Sequence, residues 1–278
     1  MPESDVVVVL AHGAWADGSS WSKVIAALRS EGVKAFAAPL PLTSLADDVA
    51  ALDATLQRVE GPVVLAGNAY AGAVIAATSD EKVAALVYVA ALAPDEGETV
   101  GEIFNRVEHD PRAPALAPDR HGLIWLPAET FGTAFAQHAS VQDQALLAAT
   151  QRPLAAASIT VPVPRPLWKD VPSWFLVAED DRMIPAENQR FMAERMKARV
   201  RTAPVDHMPM VSAPSAVVGV ILEAVREVEP GRSSLPQEAV DLDAYRRPVR
   251  HARSPALEVL PARGRVPAAW RGPDPARR

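Results

Sequence analysis

Three places in this 278-residue chain carry residue types that together could perform acyl transfer. In residues 62–72 an apolar run, Val63-Val64-Leu65-Ala66, stops at Gly67, turns through Asn68-Ala69-Tyr70-Ala71-Gly72 and continues as an Ala-rich segment. Small residues at that spacing are what a nucleophile elbow needs. Strand and helix cross closely there, and the turn holds its central residue in a strained conformation. The central residue here is Ala69, which has no hydroxyl, so the frame lacks its attacking atom. Asp181 follows the apolar run 173–178, and His207 follows the short run 199–204. A carboxylate and then an imidazole, each at the C-terminal end of a successive strand, give the chain order nucleophile, acid, base. The carboxylate would hold the imidazole in one tautomer, and the imidazole would take a proton from the nucleophile. Each residue alone has a plainer reading: a βα turn, a helix-entry carboxylate, a loop histidine. Their shared order and placement favour chemistry.

A fourth segment, His12-Gly13-Ala14-Trp15, would complete the set. The backbone N–H of Ala14, with that of Tyr70 just after the elbow, would donate to a developing oxyanion, and Trp15 is expected beside them at the substrate. His12 reads as structural, bonding loop backbone. His109, His121 and His138 show no ligand spacing, and the chain has no cysteine, so no metal is assigned. Ser79 lies about ten residues past the elbow, some 15 Å along a helix, too far to substitute for the missing hydroxyl.

The elements that must position these residues alternate. Continuous apolar runs at 6–11, 33–39, 63–67, 83–92 and 173–178, with a shorter one at 199–204, read as strands buried on both faces. Between them, Trp21, Val24, Ile25 and Leu28 recur at helical spacing, as do Leu45, Val49, Leu52 and Leu56 after a capping box at 44–47. Further helices are expected from Pro185 and over 213–228. Strands alternating with helices predict a parallel α/β sheet. The rhythm lapses over 97–170, a proline-rich insertion between two strands expected to be a lid. Its Trp125, Phe131 and Phe135 would either face a pocket or glue the lid to the body.

Length and composition fit one globular domain over 1–230: 49% hydrophobic and 22% charged residues. The net charge of −6 is uneven, since residues 231–278 hold ten Arg, no Lys and five acidic residues. That leaves 18 basic against 29 acidic residues in the body, which disfavours nucleic acid as a partner. The last 48 residues, Pro- and Arg-rich without an apolar period, read as a disordered tail. No run approaches the roughly 20 apolar residues of a membrane span, and the acidic start resembles no secretory signal. No membrane association and a cytoplasmic location are expected; oligomeric state is not readable.

The segments HGAWADGSSW, PLTSLADDVAAL, GPVVLAGNAYAGAVI, ALVYVAALAPDEGET and WKDVPSWFLVAEDDRMIP, with the late His207, resemble bacterial α/β hydrolases similar to plant methyl-ester esterases and hydroxynitrile lyases. The resemblance spans about residues 5–228. It implies an α/β-hydrolase fold, with a mostly parallel six-stranded sheet flanked by helices and a small lid, and cofactor-free hydrolysis of small esters. By position it puts Ala69 at the nucleophile, Asp181 at the acid, His207 at the base, and Ala14 and Tyr70 at the oxyanion donors. The family's usual Gly-His-Ser-Tyr-Gly-Gly is Gly67-Asn68-Ala69-Tyr70-Ala71-Gly72 here. The expectation is an esterase-type protein for a small ester or carbonyl ligand, its acyl-enzyme chemistry lost or impaired. The alternatives are a non-catalytic binding protein, or an enzyme using His207 and Asp181 as a general base without a covalent step.

Overall fold

Six strands form one sheet: β1 (Val7–Ala11), β2 (Lys34–Ala38), β3 (Val63–Ala69), β4 (Val83–Ala91), and, later in the chain, Ser173–Ala178 and Arg199–Ala203. The computed structural model describes residues 4–229, so the tail expected from residue 231 lies outside the described residues. Two short strands intervene, β5 (Leu123–Ile124) and β6 (Leu154–Ala155), making the last two β7 and β8. The order across the sheet is β2-β1-β3-β4-β7-β8, and every neighbouring pair is parallel. Strands β1, β3 and β7 are buried along their whole length, which is why they lack polar alternation. Edge strand β8 is largely exposed and carries Arg199 and Arg201, paired to Glu227 and Glu223. Charge on an edge discourages another strand from adding to it.

Helices α1 (Ser22–Ser30), α2 (Leu45–Leu56) and α3 (Ala71–Ala77) follow the first three strands. Ser44 Oγ accepts from the Asp47 N–H at 3.0 Å and caps α2. The reciprocal half of the expected box is not made: the Asp47 carboxylate accepts from Thr43 Oγ1 instead. A glutamate at that position reaches back to the cap amide, and aspartate is one methylene shorter. A full box does form at Thr99 and Glu102, opening α4 (Val100–Phe104).

Between β4 and β7 the chain leaves the sheet. It builds α4, the antiparallel β5–β6 pair, a π-helical turn (Phe131–Phe135), α5 (Val141–Thr150) and α6 (Ala157–Thr160). Helix α7 (Ala186–Arg195) then leads to β8. The short α8 (Pro209–Ser212) and the long α9 (Pro214–Val228) follow, and α9 packs on α1 and on β3, β4 and β7.

Candidate active site

The elbow at the end of β3 is strained as the small residues require. Ala69 has φ +49°, in the left-handed region that costs an L-residue roughly 1–2 kcal/mol. The pairing of β3 with β4 slips at this point: Asn68 faces Val89, Ala69 faces Ala91, and the skipped Ala90 is itself at φ +47°. A bulge of this kind re-aims the strand end. Glycines hold the crossing tight. A Cβ on Gly72 would sit 2.3 Å from the Leu92 carbonyl oxygen, and one on Gly67 would sit 2.8 Å from that of Ala71.

Asp181 and His207, 26 residues apart, meet: His207 Nδ1 lies 2.8 Å from Asp181 Oδ2, and both side chains are buried. The carboxylate is fully used. Its Oδ1 accepts the N–H groups of Met183 (2.8 Å) and Ile184 (2.9 Å), and its Oδ2 also accepts from Gln189 Nε2 (2.8 Å). With Nδ1–H given to an ionised carboxylate, the neutral ring carries its lone pair on Nε2. No described residue bonds to that nitrogen.

Ala14, Trp15, Ala69, Tyr70 and His207 all line one cavity of about 380 Å³, while Asp181 lies behind His207. The volume suits a small organic ligand. Neither the Ala14 nor the Tyr70 backbone N–H is bonded to another described residue. Trp15, at φ +58°, ties its loop to the insertion: its N–H donates to the Arg152 carbonyl at 3.1 Å and its indole Nε1–H to that of Ile124 at 2.9 Å. The Tyr70 hydroxyl turns away from the cavity and donates to Asp48 Oδ2 at 2.7 Å. Burial, then the neighbouring Asp48 charge, pushes the phenol pKa up, so it stays protonated. Burial likewise raises the Asp48 carboxyl above its ordinary value.

His12 stays off the cavity wall, its Nδ1 3.0 Å from the Gly13 carbonyl oxygen, and burial lowers its pKa. Trp125, Phe131 and Phe135 do not line the cavity, whereas Phe104 of the same insertion does. Trp125 is 48% exposed, whereas Phe131 and Phe135 are buried. The Phe135 ring packs between Trp15 (6.1 Å) and His207 (5.3 Å), so these two phenylalanines are glue and Trp125 faces outward. His109, given no role by its spacing, does line the cavity, with Nε2 3.1 Å from Asn105 Oδ1. Asn68 is a second residue whose role its sequence position does not disclose. Its Nδ2 donates to the carbonyls of Val89 (3.0 Å) and His207 (3.1 Å), bracing the elbow against the histidine loop. A chain separation of 139 residues hides that bond from sequence reading. Ser79, beyond α3, is exposed. Among the described residues no group of three or more His, Asp or Glu is placed to hold a metal ion, and no helix is long and apolar enough to cross a membrane.

A parallel sheet with a strained elbow after β3, and a histidine bonded to a carboxylate beyond β7 and β8, defines an α/β hydrolase. The chain belongs to that family, matching the alpha/beta hydrolase family over residues 8–220. No match to a curated protein is found. Similar solved structures include polyneuridine aldehyde esterase, at 20% identity over 81% of this chain and 99% of that one, with a TM-score of 0.68. A variant of tomato methylketone synthase I complexed with beta-ketoheptanoate is 20% identical over 82% and 100%, with a TM-score of 0.69. A pyrethroid hydrolase from Sphingobium faniae is 20% identical over 79% and 97%, with a TM-score of 0.66. At these identities the likeness is one of fold.

Proposed function

We propose that this protein is a carboxylic-ester hydrolase in design, binding a small ester or related carbonyl compound, with Ala69 standing where the nucleophile would be. The observation that carries the reading is that Ala69, at φ +49°, lines the same cavity as a His207 already oriented by Asp181. The carbonyl carbon of the ligand would lie over Ala69, and its oxygen would face the N–H groups of Ala14 and Tyr70. Residues 97–170 act as the lid, supplying the wall that includes Val100, Phe104, Ile124 and Ile159. Without an attacking oxygen, acyl-enzyme turnover is lost or strongly impaired. Loss of a triad nucleophile costs about 10⁶ in kcat, while donors and binding alone leave roughly 10³–10⁴ over water. Introducing serine at position 69 is the test: it should restore hydrolysis of short-chain aryl esters. A folded Ala69→Ser protein inert towards every acyl length would refute the reading.

A second reading rests on the unused His207 Nε2 beside a saturated Asp181. That imidazole could move a proton on a bound carbonyl compound with no covalent step. A β-keto acid, the ligand class named in the methylketone synthase structure, is one such compound. Its CO₂ leaves, the electron pair forms an enolate, and a proton returns to the α-carbon. Carbon dioxide release by the unmodified chain that disappears in His207→Ala would support this, and release unaffected by that change would eliminate it.

A further inference from the structure

Asp206 is fully buried next to His207, and none of the groups that donate to it carries a charge. Its Oδ2 accepts the backbone N–H of His138, in the insertion, at 2.8 Å. Its Oδ1 accepts the N–H of Met208 at 3.2 Å and the hydroxyl of Ser212 at 2.6 Å. A buried carboxylate without a counter-charge is unfavourable unless several donors converge on it. Three do, and they come from both sides of one gap: the insertion on one side, the histidine loop and α8 on the other.

The same short stretch of the insertion grips the loop that carries Asp181. Gln137 Nε2 donates to the Asp180 carbonyl at 2.7 Å, and Arg182 donates to the Thr133 carbonyl at 2.5 Å. His138 Nε2 stands 3.8 Å from Asp180 Oδ2, and the Phe135 ring lies against His207. Residues 133–138, at and just after a π-helical turn, therefore touch His207 itself and both residues that flank Asp181. Such turns occur often at functional sites.

We infer that Asp206 is a positioning residue for His207, clamping the loop of the imidazole to the insertion through the His138 amide. The mechanism is geometric. The His207 carbonyl is held by Asn68, and the next amide, Met208 N–H, is held by Asp206. The peptide group that follows His207 is thus held at both its carbonyl and its amide, while Asp181 and Phe135 set the side chain. Both carboxylate oxygens are needed, because an amide at 206 would turn one acceptor into a donor facing an N–H or O–H that also donates. The clamp is a property of the unmodified chain and stands whether or not the protein turns over an ester.

The test is proton and nitrogen NMR of the unmodified chain, reading the His207 Nδ1–H signal that the bond to Asp181 protects from exchange. Asp206→Asn and Asp206→Ala should each lose or broaden that signal while near-ultraviolet circular dichroism keeps its folded form. Ser212→Ala takes one bond from the same carboxylate without touching the insertion, and it should keep the signal. If Asp206→Ala fails to fold, Asp206→Asn decides alone. A signal unchanged in a folded Asp206 variant, or lost equally in Ser212→Ala, overturns the inference.

Discussion

Replacing Ala69 by serine adds one oxygen atom at the head of the cavity and changes nothing else the fold depends on. The backbone at 69 is already at φ +49° with alanine, so serine meets no new backbone strain. On one side the methyl is hemmed by Gly13, where a Cβ in place of the glycine hydrogen would come within 2.9 Å of it. The new hydroxyl therefore turns towards the open cavity that His207 shares. The barrier at stake is large, since a nucleophile worth about 10⁶ in kcat corresponds to near 8 kcal/mol. Full recovery is not expected, because Asn68 and Ala71 also depart from the family pattern. A rise of at least about 10³-fold in kcat/KM for a p-nitrophenyl ester, a little over 4 kcal/mol, is the expected result. The assay pairs nitrophenolate release with intact-mass detection of an acyl adduct on the variant. Stability should move by less than about 1 kcal/mol. Unchanged melting, no adduct and no rise across acetyl, butyryl and hexanoyl esters would refute the placement of residue 69.

Asp48 predicts a pH dependence. Burial raises its folded carboxyl pKa, so between the ordinary carboxylate value and that raised value the folded state holds more protons than the unfolded one. Stability from this group is then present at low pH and lost as pH rises through the folded pKa. Asp48→Asn should gain on the unmodified chain as pH climbs from about 4, the gap levelling once pH has passed the raised folded value; melting scans showing a constant gap would contradict this. Gly72→Ala puts a methyl 2.3 Å from the Leu92 carbonyl oxygen and should cost at least about 2 kcal/mol by denaturant titration. Ala69→Gly relieves the left-handed backbone while losing a methyl, so it should cost clearly less than Ala66→Gly in the same buried strand. Equal losses at the two positions would mean that residue 69 is unstrained.

The sheet was legible because its strands are near-continuous apolar runs, and glycine and proline mark where they stop. The elbow was legible for a related reason: Gly67 and Gly72 answer to a local steric demand that any strand–helix crossing of this kind makes. Strand-end positions also implied that Ala69 and His207 border one space. What stayed hidden depends on distant partners. Asn68 looked like a mere departure from the family pattern, yet it bonds the His207 carbonyl. Asp48 sat in an ordinary amphipathic helix with nothing to mark it as the acceptor for Tyr70. The insertion lacked a period to read, since its π-turn, two-residue strands and short helices are each too brief to impose one. His109 gave no spacing signal because it borders the cavity alone rather than within a ligand set.

The strain at residue 69 is held from outside the residue. Gly67 and Gly72 let the strand and helix close on each other, the bulge at Ala90 shifts the neighbouring strand, and the Ala69 carbonyl accepts the Leu92 N–H at 3.0 Å. None of these contacts involves a side-chain oxygen at 69, so the turn keeps its form with a methyl there. A turn kept in form leaves the Tyr70 N–H without a partner among the described residues, and the Asn68 amide continues to hold the His207 loop. On the function proposed above, alanine at 69 deletes the covalent step of acyl transfer and leaves in place the groups that would bind and polarise a carbonyl. That is why one substitution at position 69 is asked to restore turnover, and why proton transfer by His207 remains open to the chain as it stands.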